Sequence, residues 1–222
     1  MDFPSARGLR RQALGLADYR RHLVKKITSL PRPPILIAHS LGGLISLQAM
    51  HLAPVAAMAL LSPVPQDGVL RSMVSLARRS PISAAKMVAA ITEARLARVA
   101  SAPAGMHSET SNPDGVARMA ARLRSESLLA LTQAVWQRSP TAEAPVPLHF
   151  FGATGDYIIP ADEVRRAAKF YGAPVKIYQG MSHAFQVERD WSLIAGDILS
   201  WLADKNPIGA DIRGKQRVRT RK

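Results

Sequence analysis

Short apolar runs alternate with helical segments along most of this sequence, and this alternation strongly restricts the possible folds. The first two runs, at residues 35–38 and 55–61, have strand length and lack the polar alternation of a strand with one solvated face. Strands of this kind are buried on both faces, in parallel sheets covered by helices. We predict four strands, at residues 35–38, 55–61, 146–151 and 175–178. We predict helices at residues 18–30, 44–52, 162–171 and 191–202. The pattern therefore predicts an α/β fold with a mostly parallel sheet flanked by helices.

Residues 64–144 have a different character. Strand-like runs are missing there, and Ala, Arg, Met and Leu recur at helical spacing, interrupted by Pro81, Pro103 and Pro113. We predict a helical insertion of about this extent, a candidate lid, within a single domain formed by residues 1–204. Four of the eight methionines fall in the insertion. Soft apolar side chains suit an acyl chain or a similar group, although packing of the lid on the body explains any one of them more simply.

The chain is strongly basic, with 30 Lys and Arg against 16 Asp and Glu and a formal net charge of +14. Residues 205–222 contain seven basic residues and one acid, so +6 of this charge belongs to a segment that we predict to be a disordered tail. No aromatic side chain accompanies the basic residues of the tail, and no nucleic-acid reader motif is present. We therefore expect no specific nucleic-acid partner.

Composition also excludes several kinds of chemistry and indicates the cellular compartment. The absence of cysteine excludes disulfides, thiolate catalysis and Cys-ligated zinc. No apolar run reaches the roughly 18 residues that a membrane span needs. The first eleven residues lack the apolar core of a secretory signal. We expect a cytoplasmic protein without a membrane span.

The segment Ala-His-Ser-Leu-Gly-Gly, residues 38–43, stands between a predicted strand and a predicted helix. Ser40 has a small residue two positions before it and another two positions after it. A tight strand-to-helix turn requires this if the neighbouring backbones leave no room for side chains. Such a turn raises the serine hydroxyl above the sheet edge, beside helix amides that can bind an oxyanion. A small-residue turn with an incidental serine is the alternative explanation of this motif alone.

Two further polar side chains follow predicted strands. Asp156 lies in the loop after residues 146–151, and His183 follows residues 175–178 in the segment Gly-Met-Ser-His. Taken singly, Asp156 could be a turn residue that bonds its own backbone, and His183 could be a surface or helix-capping residue. Taken together with Ser40, they follow strands whose carboxyl ends converge where ligands bind. Asp67 is the alternative acid, but Asp156 has the better local motif.

The other histidines give no sign of a metal site. His39 is predicted to point away from the candidate site and to pack or hydrogen-bond in the core. None of the histidines pairs with a second ligand at metal-binding spacing. No Gly-x-Gly-x-x-Gly segment or phosphate-binding lysine motif occurs. We therefore expect neither a metal nor a cofactor.

From about Asp18 to Ala203 the chain resembles the α/β-hydrolase family, in particular its lidded esterase and lysophospholipase-like members. The resemblance is carried by residues 38–43, 151–156 and 180–183, and by the closing helix with its two tryptophans. It implies an α/β-hydrolase fold with a helical lid. It also implies that Ser40 is the nucleophile, Asp156 the acid, His183 the base and the Leu41 backbone N–H an oxyanion donor.

The start of the chain departs from the family pattern. Members normally have several strands before the elbow, and a loop with His-Gly that supplies a second oxyanion N–H. Only 39 residues precede Ser40 here, and no His-Gly pair occurs. Arg7-Gly8 resembles the Arg-Gly that in the family follows the strand just before the elbow helix. We therefore expect an N-terminally truncated version of the fold with an exposed sheet edge. Loss of one oxyanion donor typically lowers kcat by roughly 10²–10³.

The expected activity is serine-dependent hydrolysis of a small carboxylic ester with an apolar acyl group, through an acyl-enzyme and without a cofactor. The alternative is a catalytically impaired hydrolase-fold remnant that binds an apolar ligand or a partner chain along its exposed edge.

Overall fold

The computed structural model describes residues 13–92, 102–122, 126–138 and 141–205. Over these residues, helices and strands largely alternate outside the insertion. In chain order the elements are α1 (Leu16–Thr28), β1 (Ile35–His39), α2 (Leu41–Ala49), β2 (Ala57–Leu61), α3 (Leu70–Arg79), α4 (Pro81–Thr92), α5 (Pro113–Arg122), α6 (Leu128–Trp136), β3 (Leu148–Ala153), α7 (Ala161–Phe170), β4 (Val175–Tyr178), a 3-10 helix (Phe185–Val187) and α8 (Trp191–Lys205).

The four strands form one parallel sheet in the order β1-β2-β3-β4. Ile37 lies opposite Ala59, Leu60 opposite Phe150, and Gly152 opposite Ile177. The predicted parallel sheet with flanking helices is confirmed, and each predicted strand differs from the observed one by no more than two residues at either end. Because all strands run in the same direction, the loops that follow them lie along one edge of the sheet.

The core lies on both faces of this sheet. Along β2, Met58 and Leu60 belong to a cluster with α1, α2, α6 and α7, whereas Ala57 and Ala59 belong to a second cluster with α8. Each of these four side chains is fully buried. Burial on both faces is the reason that β2 reads as an unbroken apolar run.

The insertion between β2 and β3 contributes helices α3 to α6 among the described residues. Pro81 and Pro113 begin α4 and α5, since proline is well tolerated in the first turn, where its missing N–H has no partner to lose. Ser127 caps α6 by accepting from the Ala130 N–H at 3.3 Å, and its hydroxyl donates to the Leu14 carbonyl at 2.6 Å. Helix α6 is thereby attached to the chain just before α1.

In the described part of the sheet, β1 is an edge strand, and its Ile37 side chain is 62% exposed. None of the described helices combines the length and apolar character needed to cross a bilayer. The predicted basic tail lies outside the described residues from residue 206 onward, and Lys205 ends α8. Arg7-Gly8 also lies outside them.

Candidate active site

Ser40 lies at a sharp turn between β1 and α2. Its φ of 53° and ψ of −124° place a non-glycine residue in a strained region of backbone space, which costs on the order of 1–3 kcal/mol. Three hydrogen bonds hold this geometry. The Ser40 N–H donates to Leu61 O at 3.1 Å, and the Ser40 carbonyl accepts from the N–H groups of Gly43 at 2.9 Å and Val64 at 3.0 Å. The turn is therefore fastened to the end of β2 and to the segment that follows it.

The sequence predicts steric crowding at Gly42, but the structure shows it at Gly43 instead. A Cβ on Gly42, two positions after Ser40, would meet no atom of the described residues within 4 Å. A Cβ on Gly43 would lie 2.4 Å from Pro63 Cβ. The prediction that crowding requires a small residue at position 42 was wrong: the crowded position is Gly43, because α2 packs there against the loop after β2.

Asp156 and His183 are hydrogen-bonded and buried, with 1% and 5% of their surfaces exposed. His183 Nδ1 lies 2.8 Å from Asp156 Oδ2. The other carboxylate oxygen, Oδ1, accepts from the N–H groups of Ile158 at 2.9 Å and Ile159 at 2.8 Å. Because a carboxylate accepts and Nδ1 therefore donates, the neutral imidazole keeps Nε2 free of a proton. This is the tautomer that a general base requires.

Asp67, the alternative acid, has a different partner. Its two oxygens accept from the Arg166 guanidinium at 2.7 and 2.8 Å, and Arg166 also contacts Glu163. Burial acts to raise the pKa of Asp67, but the hydrogen bonds and charge of Arg166 outweigh it, and the pKa lies below its ordinary value. The structure thus brings Asp156, and not Asp67, to His183.

His39 does not point away from the site, so that prediction was wrong. Its Nε2 lies 2.9 Å from the His183 carbonyl oxygen, and the two rings pack with centroids 4.6 Å apart. Because a carbonyl can only accept, Nε2 of His39 carries a proton. Burial, reinforced by the nearby His183, lowers the pKa of His39 to about 4, so this ring is neutral at pH 7. The end of β1 extends through His39, one residue further than predicted, and this places its side chain against the His183 loop.

Ser40 is thus adjacent in the chain to the residue that supports His183. In the described part of the chain, no hydrogen bond joins the Ser40 hydroxyl to His183; contacts of this kind often tighten only when substrate binds. Helix α2 begins at Leu41, whose N–H is among the first four that have no acceptor within the helix. The described residues contain no group of three or more His, Asp or Glu placed to hold a metal ion.

Comparison with known proteins places this geometry in context. The sequence model of the alpha/beta hydrolase family matches residues 1–195. No protein with a curated description matches the sequence significantly. Solved structures with a similar fold include a monoacylglycerol lipase from Paleococcus ferrophilus. It is 16% identical, with a TM-score of 0.58 over 89% of this chain and 78% of that one.

Two other similar structures carry different descriptions. A thermophilic esterase from Thermogutta terrifontis is 12% identical, with a TM-score of 0.64 over 86% of this chain and 73% of that one. Est816, described as an N-acyl homoserine lactone degrading enzyme, is 17% identical, with a TM-score of 0.55 over 84% and 76%. At these identities the structures establish a shared fold. Since the family model extends over most of the sequence, this chain belongs to the alpha/beta hydrolase family.

Proposed function

We propose that this chain is a serine hydrolase that cleaves carboxylic esters, with Ser40 as nucleophile, His183 as general base and acid, and Asp156 as the orienting carboxylate. The observation that carries the proposal is the buried Asp156–His183 hydrogen bond of 2.8 Å beside the strained turn at Ser40. A strained serine at a strand-to-helix turn is the nucleophile geometry of this family. Because this strain lowers the stability of the folded chain, its presence argues for a functional role.

The proposed reaction proceeds in two halves. The Ser40 hydroxyl gives its proton to His183 Nε2 while its oxygen attacks the ester carbonyl carbon. The Leu41 N–H donates to the developing oxyanion. The tetrahedral intermediate then collapses, the carbon–oxygen bond to the alcohol breaks, and the alcohol leaves with the proton from His183. In the second half, His183 removes a proton from water, which attacks the acyl-enzyme, and the carboxylic acid is released as Ser40 recovers its proton.

Asp156 orients His183 throughout this cycle and does not take up the transferred proton. Its Oδ2 holds the imidazole in the tautomer with Nε2 free, and its charge stabilises the imidazolium formed during attack. The two backbone N–H groups on Oδ1 fix the carboxylate, so the imidazole is oriented before substrate arrives. Burial of both side chains strengthens these interactions, since the local dielectric is low.

We further propose an ester with an apolar acyl group as the substrate. Apolar side chains of the insertion remain exposed on α3 and α4, with Met73 at 43% and Ile82 at 71%. Apolar surface of this kind suits contact with a hydrocarbon chain. The descriptions of the similar structures, a monoacylglycerol lipase and an esterase, agree with this substrate class.

The test is covalent labelling by a fluorophosphonate probe, combined with hydrolysis of p-nitrophenyl esters of increasing acyl length. The wild type should label, and Ser40→Ala should lose both labelling and hydrolysis. Ser200→Ala, which changes an exposed serine on α8, should retain both. A folded wild type that neither labels nor hydrolyses any ester would refute the proposal and favour a non-catalytic binding role. Hydrolysis unchanged in Ser40→Ala would exclude Ser40 as nucleophile.

A further inference from the structure

Glu188 is a buried carboxylate that the proposed reaction does not use. It follows the 3-10 helix Phe185–Val187, five residues after His183, and is 1% exposed. None of the ion pairs among the described residues includes it. A buried charge without a cation is costly unless hydrogen bonds compensate for it, so its donors indicate its role.

The donors to Glu188 come from two separate parts of the chain. Oε1 accepts from the Ser182 N–H at 3.0 Å and from the Ser108 N–H at 3.2 Å. Oε2 accepts from the Ser108 hydroxyl at 2.5 Å. Ser182 directly precedes His183, whereas Ser108 belongs to the insertion. One carboxylate therefore joins the insertion to the loop that carries His183.

Backbone hydrogen bonds extend this junction on both sides. The His183 N–H donates to Gly105 O at 2.9 Å, and the Ala184 N–H donates to Met106 O at 2.7 Å. Further along, the Asn112 N–H donates to Val187 O at 2.8 Å. Residues 105–112 thus lie along residues 183–187, and Glu188 is the side chain that fastens the two segments to each other.

Gly105 shows how closely the insertion fits here. Its φ is 81°, and a Cβ at this position would lie 2.4 Å from the backbone nitrogen of Tyr157, the residue after Asp156. The insertion is therefore in close contact with the Asp156 loop as well as with the His183 loop. Both loops of the Asp156–His183 pair meet the same short segment.

We propose that Glu188 is a positioning residue for the esterase reaction: its carboxylate holds the His183 loop in place and anchors the insertion on it. This inference rests on the proposed function, because its kinetic consequence requires His183 to act as the base. Charge-assisted hydrogen bonds are shorter and stronger than neutral ones, which suits one side chain that must hold two backbone segments. Loss of the carboxylate leaves the Ser182 N–H without its acceptor, and it leaves the Ser108 N–H with Ser111 Oγ, 3.1 Å away, in place of Glu188.

The kinetic test compares three variants. Glu188→Ala should lower kcat by about 10²-fold, since a displacement of about 1 Å at a catalytic group has this effect. It should also raise KM several-fold, because it removes the acceptor of the Ser108 hydroxyl as well. Glu188→Gln keeps an oxygen for the two N–H donors and should recover most of the loss. Ser108→Ala keeps the Ser182 contact of Glu188 and removes the Ser108 hydroxyl, which also contacts Thr110 and Ser111 within the insertion. It should therefore raise KM several-fold and leave kcat within about threefold.

Hydrogen exchange provides a readout that does not depend on activity. In Glu188→Ala, the amides of residues 105–112 and 182–184 should exchange at least tenfold faster than in the wild type, while those of β2 and β3 should not change. If Glu188→Ala does not fold, Glu188→Gln and Ser108→Ala still carry the test. Unchanged exchange in these segments, or equal loss of kcat in the Gln and Ala variants, would overturn the positioning role. A wild type without ester hydrolysis, but with the expected exchange pattern, would refute the proposed function and leave the junction at Glu188 established.

Discussion

Replacing Gly43 with alanine should destabilise the turn that carries Ser40. A Cβ there would lie 2.4 Å from Pro63 Cβ and 3.0 Å from Pro63 Cα. Carbon atoms pack favourably at about 3.5–4.0 Å, so Pro63 would have to move by about 1 Å. Ser62 restrains such a movement, because its N–H donates to Phe151 O at 2.7 Å and its φ is 37°.

The magnitude follows from two opposed effects. Overpacking of a well-packed site costs about 1–3 kcal/mol. Alanine is favoured over glycine within a helix by about 1 kcal/mol, which offsets part of that cost in α2. Gly42→Ala is the matched control, since it lies in the same helical turn and its Cβ would meet no described atom within 4 Å. The helix contribution largely cancels between the two variants, and Gly43→Ala should be less stable than Gly42→Ala by about 2 kcal/mol.

Urea denaturation followed by far-UV circular dichroism measures this difference. The midpoint should fall for Gly43→Ala and stay level or rise for Gly42→Ala, with equal slopes for both. If Gly43→Ala proves as stable as Gly42→Ala, then Pro63 yields freely, and the argument that α2 is pressed against the loop after β2 is incorrect.

Further predictions concern the site. Asp156→Asn should lower kcat by about 10⁴-fold, because the amide favours the wrong imidazole tautomer, whereas Asp67→Asn should leave kcat within about threefold; an equal loss in ester-hydrolysis assays would contradict the assignment of the acid. His39 has a folded-state pKa of about 4, below the ordinary 6.5, so the unfolded chain binds a proton in this range while the folded chain does not. Above pH 6.5 the ring is neutral in both states and does not alter the free energy of unfolding, which then falls by up to about 3 kcal/mol as the pH decreases to 4. In urea titrations at a series of pH values, the free energy of unfolding of His39→Gln should lack this decrease. A variant with the same pH dependence as the wild type would show that the ring is not held neutral. Ser40→Gly should be at least as stable as Ser40→Ala in thermal unfolding, because glycine relieves the strain at φ 53°; a clearly less stable glycine variant would argue against that strain.

Much of the fold was predictable because its signals are local. The short apolar runs predict β1 to β4 to within two residues, and the pattern is most continuous in β2, which is buried on both faces. The placement of Ser40, Asp156 and His183 after β1, β3 and β4 also follows from local pattern, because the carboxyl ends of parallel strands share one edge.

The errors occur where residues distant in sequence meet. His39 was expected to lie in the core, but its position at the end of β1 brings it to the His183 carbonyl, 144 residues further along the chain. Gly42 was expected to be crowded, but Gly43 is the residue that faces Pro63. Neither contact can be predicted from the residues that neighbour it in the sequence.

The sequence by itself determined the parallel α/β architecture, the place of the insertion and the three candidate site residues, because hydrophobic periodicity and turn chemistry act over a few neighbouring residues. Only the tertiary structure decided that His183 bonds Asp156 while Asp67 bonds Arg166, and that Glu188 joins the insertion to the His183 loop. These hydrogen-bond partners depend on which side chains, distant in sequence, the folded chain brings together. Burial then makes each hydrogen bond stronger and its loss more costly.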